Sequence, residues 1–170
     1  RLEQTYHPNI RRIRALEKPV IAAVNGPCAG AGLSLAAACD IRIAAPSAKI
    51  AFLFTKVGLS GADMGASWLL PRIVGLGRAT EILLTGDFVP AEEAHRIGLF
   101  NRIVPTEKLV DEATALARKL AAGPAFAHSM TKKMLDQEWS MSIEQAVEAE
   151  AQAQAICMQT QDFHRAYHAF

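Results

Sequence analysis

The chain has 170 residues, 51% hydrophobic and 21% charged, with a formal charge of +1. That balance supports one soluble globular domain, or one with a helical appendage, and argues against a general nucleic-acid surface. No apolar run is long enough to cross a bilayer, no secretory signal opens the chain at Arg1, and the scattered Cys28, Cys39 and Cys157 fit a reducing, cytoplasmic setting.

Asn9 to Glu17 ("NIRRIRALE") predicts a short helix with Ile10, Ile13 and Leu16 on one side, ended by Pro19. Val20 to Val24 is short, apolar and bounded by breakers, which predicts a buried strand. The join "NGPCAGAG" leads into "LSLAAAC", a helix with small side chains on every face. Asp40 to Ala45 and Lys49 to Phe54 read as strands around a Pro46-Ser47 turn, and strand, helix, strand in so few residues is an α/β signature. Gly58 to Gly65 is a loop, and helices follow over Ala66 to Gly75, Gly77 to Gly86 and Pro90 to Gly98, the last with Pro90 at its first helical position. Asn101 to Val104 is a last short strand. From Thr106 the pattern is purely helical. Leu109, Ala113, Leu116, Ala117 and Leu120 form one stripe, Gly123-Pro124 breaks it, and Ala125 to Leu135 resumes. Ser142 and Gln145 predict a capping box opening Ile143 to Met158. The expected organisation is an α/β part over residues 1–105 and a helical part over residues 106–170.

A glycine-rich strand-to-helix turn presents backbone N–H groups at a helix N-terminus, where the macrodipole also favours negative charge. A phosphate, or an oxyanion developing on a carbonyl, suits that arrangement. A dinucleotide fingerprint needs G-x-G-x-x-G and an acid about 20 residues on. Here the glycines run Gly26, Gly30, Gly32, and Phe52 stands where the acid belongs. The dinucleotide reading fails on both counts.

More of the chain agrees with the oxyanion. "KPVIAAVNG", "AGAGLSLAAACDIRIAA", "VGL" with its Gly-containing loop, "LPRIVG" and "AEEAHRIGLFNRIVP", in that order, resemble the crotonase (enoyl-CoA hydratase/isomerase) superfamily from about Lys18 to the chain's end. The resemblance implies a crotonase-like α/β spiral of β-β-α units lacking its N-terminal part, so that the sheet has an uncovered edge. It further implies a C-terminal α-helical oligomerisation region that builds a homotrimer or a dimer of trimers. Substrates would be acyl-CoA thioesters, with coenzyme A part of the substrate and no separate cofactor. The shared chemistry is an enolate held by two backbone N–H donors. One donor maps onto Ala31, between Gly30 and Gly32; in relatives the other lies upstream of the residues here. Losing one such donor costs about 2.7–4 kcal/mol of barrier. The small residues also have a structural use, letting a helix pack close to a strand.

Hydratases of this family activate water with two glutamates, whose positions match Ser34 and Phe54 here. A hydroxyl without a neighbouring base does not replace a general base, and a phenyl ring only walls a pocket. Asp63 offers a single carboxylate. Counted back from Trp68, it resembles the catalytic aspartate of dienoyl-CoA isomerases and of isomerases of phenylacetyl-CoA ring epoxides. Counted forward from Gly58, the loop is one residue longer than theirs, a lengthening similar to that of the dihydroxynaphthoyl-CoA synthases. One carboxylate suits a proton shuttle, with Phe52, Leu53, Phe54, Met64 and Trp68 available to desolvate it. The alternative is an aspartate that caps the following helix or braces the loop.

The candidate site is therefore Asp63 and the Ala31 N–H as catalytic groups, with Gly30, Gly32, Ser34, Phe54, Leu59, Met64 and Trp68 against the substrate. Of the five histidines only His164 and His168 share a helical face without a third ligand, so no metal site is expected. Cys28 reads as a packing residue, with a reactive thiol beside the oxyanion hole as the alternative, and Asp40 as a hinge residue. Arg11, Arg12 and Arg14, and likewise Lys132-Lys133, read as solvated faces, the arginines with CoA phosphates as an alternative. Phe170 matches a phenylalanine that in relatives precedes a basic residue meeting a neighbouring subunit's CoA. The expected activity is double-bond or ring isomerisation of an enoyl-CoA. The alternatives are hydration or a related lyase reaction, and a non-catalytic acyl-CoA-binding or assembly subunit. RNA binding, known for one branch of the family, finds no lysine-rich stripe.

Overall fold

The computed structural model describes residues 2–169, so Phe170 lies outside the described residues. It opens with α1 (Leu2–Thr5) and α2 (His7–Ala15). The second helix starts earlier than its periodicity suggested, because Pro8 is tolerated in a first turn, and it stops at Ala15, where Leu16 turns extended ahead of Pro19.

Strands β1 (Ile21–Val24) and β2 (Pro27–Ala29) precede α3 (Ala31–Ala38), and β3 (Ile41–Ala44) and β4 (Lys49–Ala51) follow it. The first and third strands pair in parallel, as do the second and fourth. Each β-β unit thus sends one strand to each of two sheets, and the helix carries the chain to the next unit. The second strand falls inside the glycine-rich join. The expected strand over Lys49 to Phe54 stops at Ala51. Its partner ends at Ala29, and the Gly30 N–H to Ala51 oxygen bond of 2.9 Å is the last rung before Gly30 turns the chain into α3 at φ 54°. Without a partner, Leu53–Val57 winds into a 3₁₀ turn closed by Gly58 at φ 77°.

Helices α4 (Ala66–Val74) and α5 (Leu76–Thr85) lead to β5 (Val89–Pro90), α6 (Ala91–Arg96) and β6 (Arg102–Ile103). Pro90 is the N-cap of α6 rather than its first helical residue, since it is held extended against Lys49 in an antiparallel pair. The sheet orders are β1-β3-β6 and β2-β4-β5. Fully buried Leu33, Ile50, Phe52, Leu70, Leu99 and Phe100 form the main core, each contributing about 1.5–3 kcal/mol by leaving water. A smaller cluster joins Ile10, Ala37, Ala38, Met64 and Leu69, with Ala31 and Leu35 packed against it.

The remainder is helical: α7 (Leu109–Ala121), α8 (Ala125–Gln137), α9 (Ile143–Cys157) and α10 (Gln161–Tyr167). Ser142 and Gln145 form the capping box of α9 in both directions. The last helix, whose face His164 and His168 were read as sharing, had no start assigned from the sequence; Thr160 caps it by accepting from the Phe163 N–H. Two compact units result. One comprises the described residues to Leu16 together with Val20–Ala115, and the other Glu17–Pro19 with the described residues from Leu116, so the division falls within α7. In the second unit Lys132 is buried rather than solvated, its ammonium donating to the Lys18 carbonyl at 3.1 Å. No helix among the described residues is long and apolar enough to cross a membrane.

Candidate functional site

The N-terminus of α3 is uncapped by any side chain, because its N-cap is Gly30. An eight-residue helix thus starts at Ala31 with its first backbone donors directed out of the turn. A Cβ placed on Gly30 would lie 3.8 Å from Phe54 Cζ, so the phenyl ring borders this turn. Ser34, one turn into the helix, is fully buried. Its hydroxyl donates back to the Gly30 carbonyl at 3.4 Å, a local bond that bends the side chain onto its own helix.

Arg42 anchors the far end of α3. It is buried, and its guanidinium donates to the Cys39 carbonyl at 2.6 Å, the Ala36 carbonyl at 3.5 Å and the Leu99 carbonyl at 2.7 Å. A cation on the last carbonyls of a helix also complements its dipole. Burial pulls this guanidinium below the usual arginine value, with Cys39 and Asp40 opposing. Asp40 ties the neighbouring elements, accepting from the Val20 N–H at 2.7 Å and from Arg14 at 3.3 Å. Arg14 is therefore held in an ion pair and is not part of a solvated face.

The loop from Gly58 to Gly65 runs beside the same helix. Met64 is 3% exposed and sits at φ 49°, the one non-glycine residue at positive φ among those described. Its side chain lies in the cluster that includes Ala31, so the loop and the head of α3 share one apolar contact set. The Asp63 carboxylate precedes it, 19% exposed. Its Oδ1 accepts from the Met64 N–H at 2.8 Å and faces His7 Nε2 at 3.4 Å. Asp63 does not cap α4, whose N-cap is Gly65 without a side-chain bond. A cleft of about 240 Å³ lined by His7, Ile10, Arg11, Met64 and Gly65 opens beside the pair.

The remaining expected residues differ in their surroundings. Leu59 and Trp68 are exposed, the indole stacked on the Arg72 guanidinium at 3.9 Å. Gly32 adds no steric restriction, since a Cβ there meets nothing within 4 Å. Phe52 belongs wholly to the main core. Cys28 is half-buried in β2, and burial, followed by the neighbouring Cys39, pushes its thiol up, which opposes thiolate chemistry. No group of three His, Cys, Asp or Glu that could hold a metal occurs among the described residues. The sequence reading missed His7. It stands 56 residues from Asp63, and no local motif links the two.

Two interleaved sheets wound by β-β-α units, with a small-residue helix starting at the turn between them, define a crotonase-like α/β protein. The chain belongs to the enoyl-CoA hydratase/isomerase family, whose sequence profile matches residues 1–170. It is 40% identical over 169 residues to 1,2-epoxyphenylacetyl-CoA isomerase of Escherichia coli, covering 99% of this chain and 64% of that protein. Crotonyl-CoA hydratase of Syntrophomonas wolfei is 40% identical over 152 residues, covering 89% of this chain and 58% of its own. A crystal structure from Streptomyces coelicolor A3(2), described as that of a candidate enoyl-CoA hydratase, superposes with a TM-score of 0.92 at 50% identity. That match covers 95% of this chain and 58% of the other. The chain spans 58% to 64% of the length of these three proteins.

Proposed function

We propose that the protein isomerises an enoyl-CoA thioester through an enolate, using the Ala31 N–H as oxyanion donor and Asp63 as the proton shuttle. The observation that supports this reading is the common cluster of Met64 and Ala31, the first following the Asp63 carboxylate in sequence and the second opening the uncapped helix α3. In a 3-enoyl thioester the Asp63 carboxylate takes the proton from C2, and the C–H electron pair flows toward the thioester oxygen. The Ala31 N–H donates to that oxygen as its charge grows, where a preorganised donor is worth most. Collapse of the dienolate sends electrons through the chain to C4, which takes the same proton back from Asp63. The double bond moves and the mass does not change.

The Phe54 ring beside Gly30 supports this reading over water addition, since it puts an apolar wall where a second carboxylate would be needed. The likeness to a ring-epoxide isomerase points the same way. Hydration is the second reading, favoured by the likeness to a crotonyl-CoA hydratase, with Asp63 acting on water. For assembly we propose a homotrimer or a dimer of trimers through the helical unit. Its α8–α9 groove of about 590 Å³ is lined by Met130, Met134, Leu135 and Val147, and Trp139, Ile143 and Ile156 of the same unit are also exposed.

Mass-resolved product analysis with crotonyl-CoA, a 3-enoyl-CoA and a 2,4-dienoyl-CoA tests the reaction. A product of unchanged mass from the 3-enoyl or dienoyl substrate is expected. A product heavier by one water from crotonyl-CoA alone would replace isomerisation with hydration. Binding of all three without turnover would leave only the non-catalytic alternative.

A further inference from the structure

We propose that His7 is the positioning residue of Asp63, a role that rests on the assignment of Asp63 as the proton shuttle. An ionised carboxylate only accepts hydrogen bonds, so the ring nitrogen facing it at 3.4 Å carries the proton and donates. Oδ1 therefore takes two donors from two different elements, the Met64 N–H of its own loop and Nε2–H of α2. Oδ2 has no hydrogen-bond partner among the described residues and is not one of the sealed, unsatisfied atoms. The Met64 bond alone leaves the carboxylate free to swing about its own side-chain torsions. A second donor on the same oxygen fixes its plane and leaves Oδ2 as the basic atom.

His7 holds this position because α2 is itself located by three side chains on one face. His7, Ile10 and Arg14 stand at i, i+3 and i+7, the spacing that stacks residues along a helix. Ile10 is buried and packs with Met64, and its Cγ2 would lie 3.6 Å from a Cβ on Gly65. Arg14 is tied to Asp40 at the far end of α3. The same helix face thus reads the carboxylate, the strained residue after it and the helix that carries the oxyanion donor. His7 also lines the 240 Å³ cleft and is one-third exposed, so the pair borders space that a substrate can enter.

The test is steady-state kinetics on the intact protein with a 3-enoyl-CoA, together with deuterium uptake at C2 in heavy water. His7→Phe keeps the ring volume and removes the donor; kcat and C2 exchange should fall about 10- to 100-fold with KM nearly unchanged. His7→Gln restores an N–H donor and should recover activity to within about fivefold of the native protein. The double variant with Asp63→Asn should be no slower than Asp63→Asn alone. If His7→Phe leaves kcat unchanged while Asp63→Asn abolishes turnover, His7 has no role and the Asp63 assignment survives. If Asp63→Asn retains full turnover, the assignment itself fails and this inference with it. Equal losses in His7→Phe and His7→Gln, accompanied by a lower melting temperature and a raised KM, would make His7 a packing residue and overturn the proposal.

Discussion

Arg42 Nε donates to the carbonyl of Leu99 at 2.7 Å across 57 residues of sequence, while Nη1 of the same side chain holds the Cys39 carbonyl at 2.6 Å. Asn101 completes the link by accepting from the Arg42 N–H and returning its own N–H to the Arg42 carbonyl, both at 2.8 Å. One guanidinium therefore joins the C-terminal end of α3, the third strand and the segment that leads into the last strand.

Arg42→Ala should strip donors from carbonyls sealed away from water, lowering stability by about 3 kcal/mol. Arg42→Lys should recover only part of this, because a single ammonium cannot repeat the planar fork. Urea unfolding of the intact protein measures both. A loss in Arg42→Ala below about 1 kcal/mol would mean that water replaces the guanidinium and that this anchor is dispensable.

Ser34 is fully buried, and its hydroxyl is turned to its own helix. Ser34→Ala should therefore change stability by less than about 1 kcal/mol and leave turnover within about threefold. Ser34→Glu should instead destabilise by more than about 2 kcal/mol, since it drives a carboxylate into packed, apolar surroundings. Loss of turnover in a correctly folded Ser34→Ala variant would return this residue to the chemistry.

The contrast between these two residues shows where sequence reasoning holds. The glycine join announced a helix N-terminus because Gly30, Ala31 and Gly32 are consecutive and the turn is local. The capping box at Ser142 and Gln145 was legible for the same reason. The second strand was not, because "PCA" has weak strand preference and is extended only by its ladder with Lys49–Ala51. Phe52 to Phe54 misled in the opposite direction: an apolar run suited to a strand has no strand left to pair with. The His7 and Asp63 contact depends on α2 being set against a distant loop, which no periodicity encodes.

Gly61 controls how closely that loop lies on α5. A Cβ at this position would stand 2.6 Å from the Leu83 carbonyl oxygen, a distance no real Cβ contact reaches. Gly61→Ala must displace backbone on one side or the other, and the loop gives more readily than a helix. Asp63 accepts no bond from α5, so its carboxylate should move with the loop while the helix stays in place. A fall in kcat of about tenfold or more is expected, together with faster amide exchange over residues 59–65 than over 76–85. Unchanged kcat with unchanged exchange would show that the loop absorbs the methyl group without shifting the carboxylate.

Cys28 gives a pH-dependent outcome with a definite sign. Burial chiefly, and Cys39 secondarily, raise its thiol above the ordinary value, so the folded chain holds this proton more tightly than the unfolded chain does. Its contribution to stability is fully present below the unfolded thiol pKa and is lost as pH rises through the folded value. Melting temperature should thus decline on the alkaline side more steeply in the native protein than in Cys28→Ala, after each curve is referred to its own neutral value. Thiol labelling at Cys28 should likewise lag behind that of a free cysteine at neutral pH, because the thiolate is the reacting species. Parallel melting curves through the alkaline range would show that the raised proton affinity contributes nothing to folding. Rapid labelling at neutral pH would place a thiolate beside the head of α3 and reopen nucleophilic chemistry there.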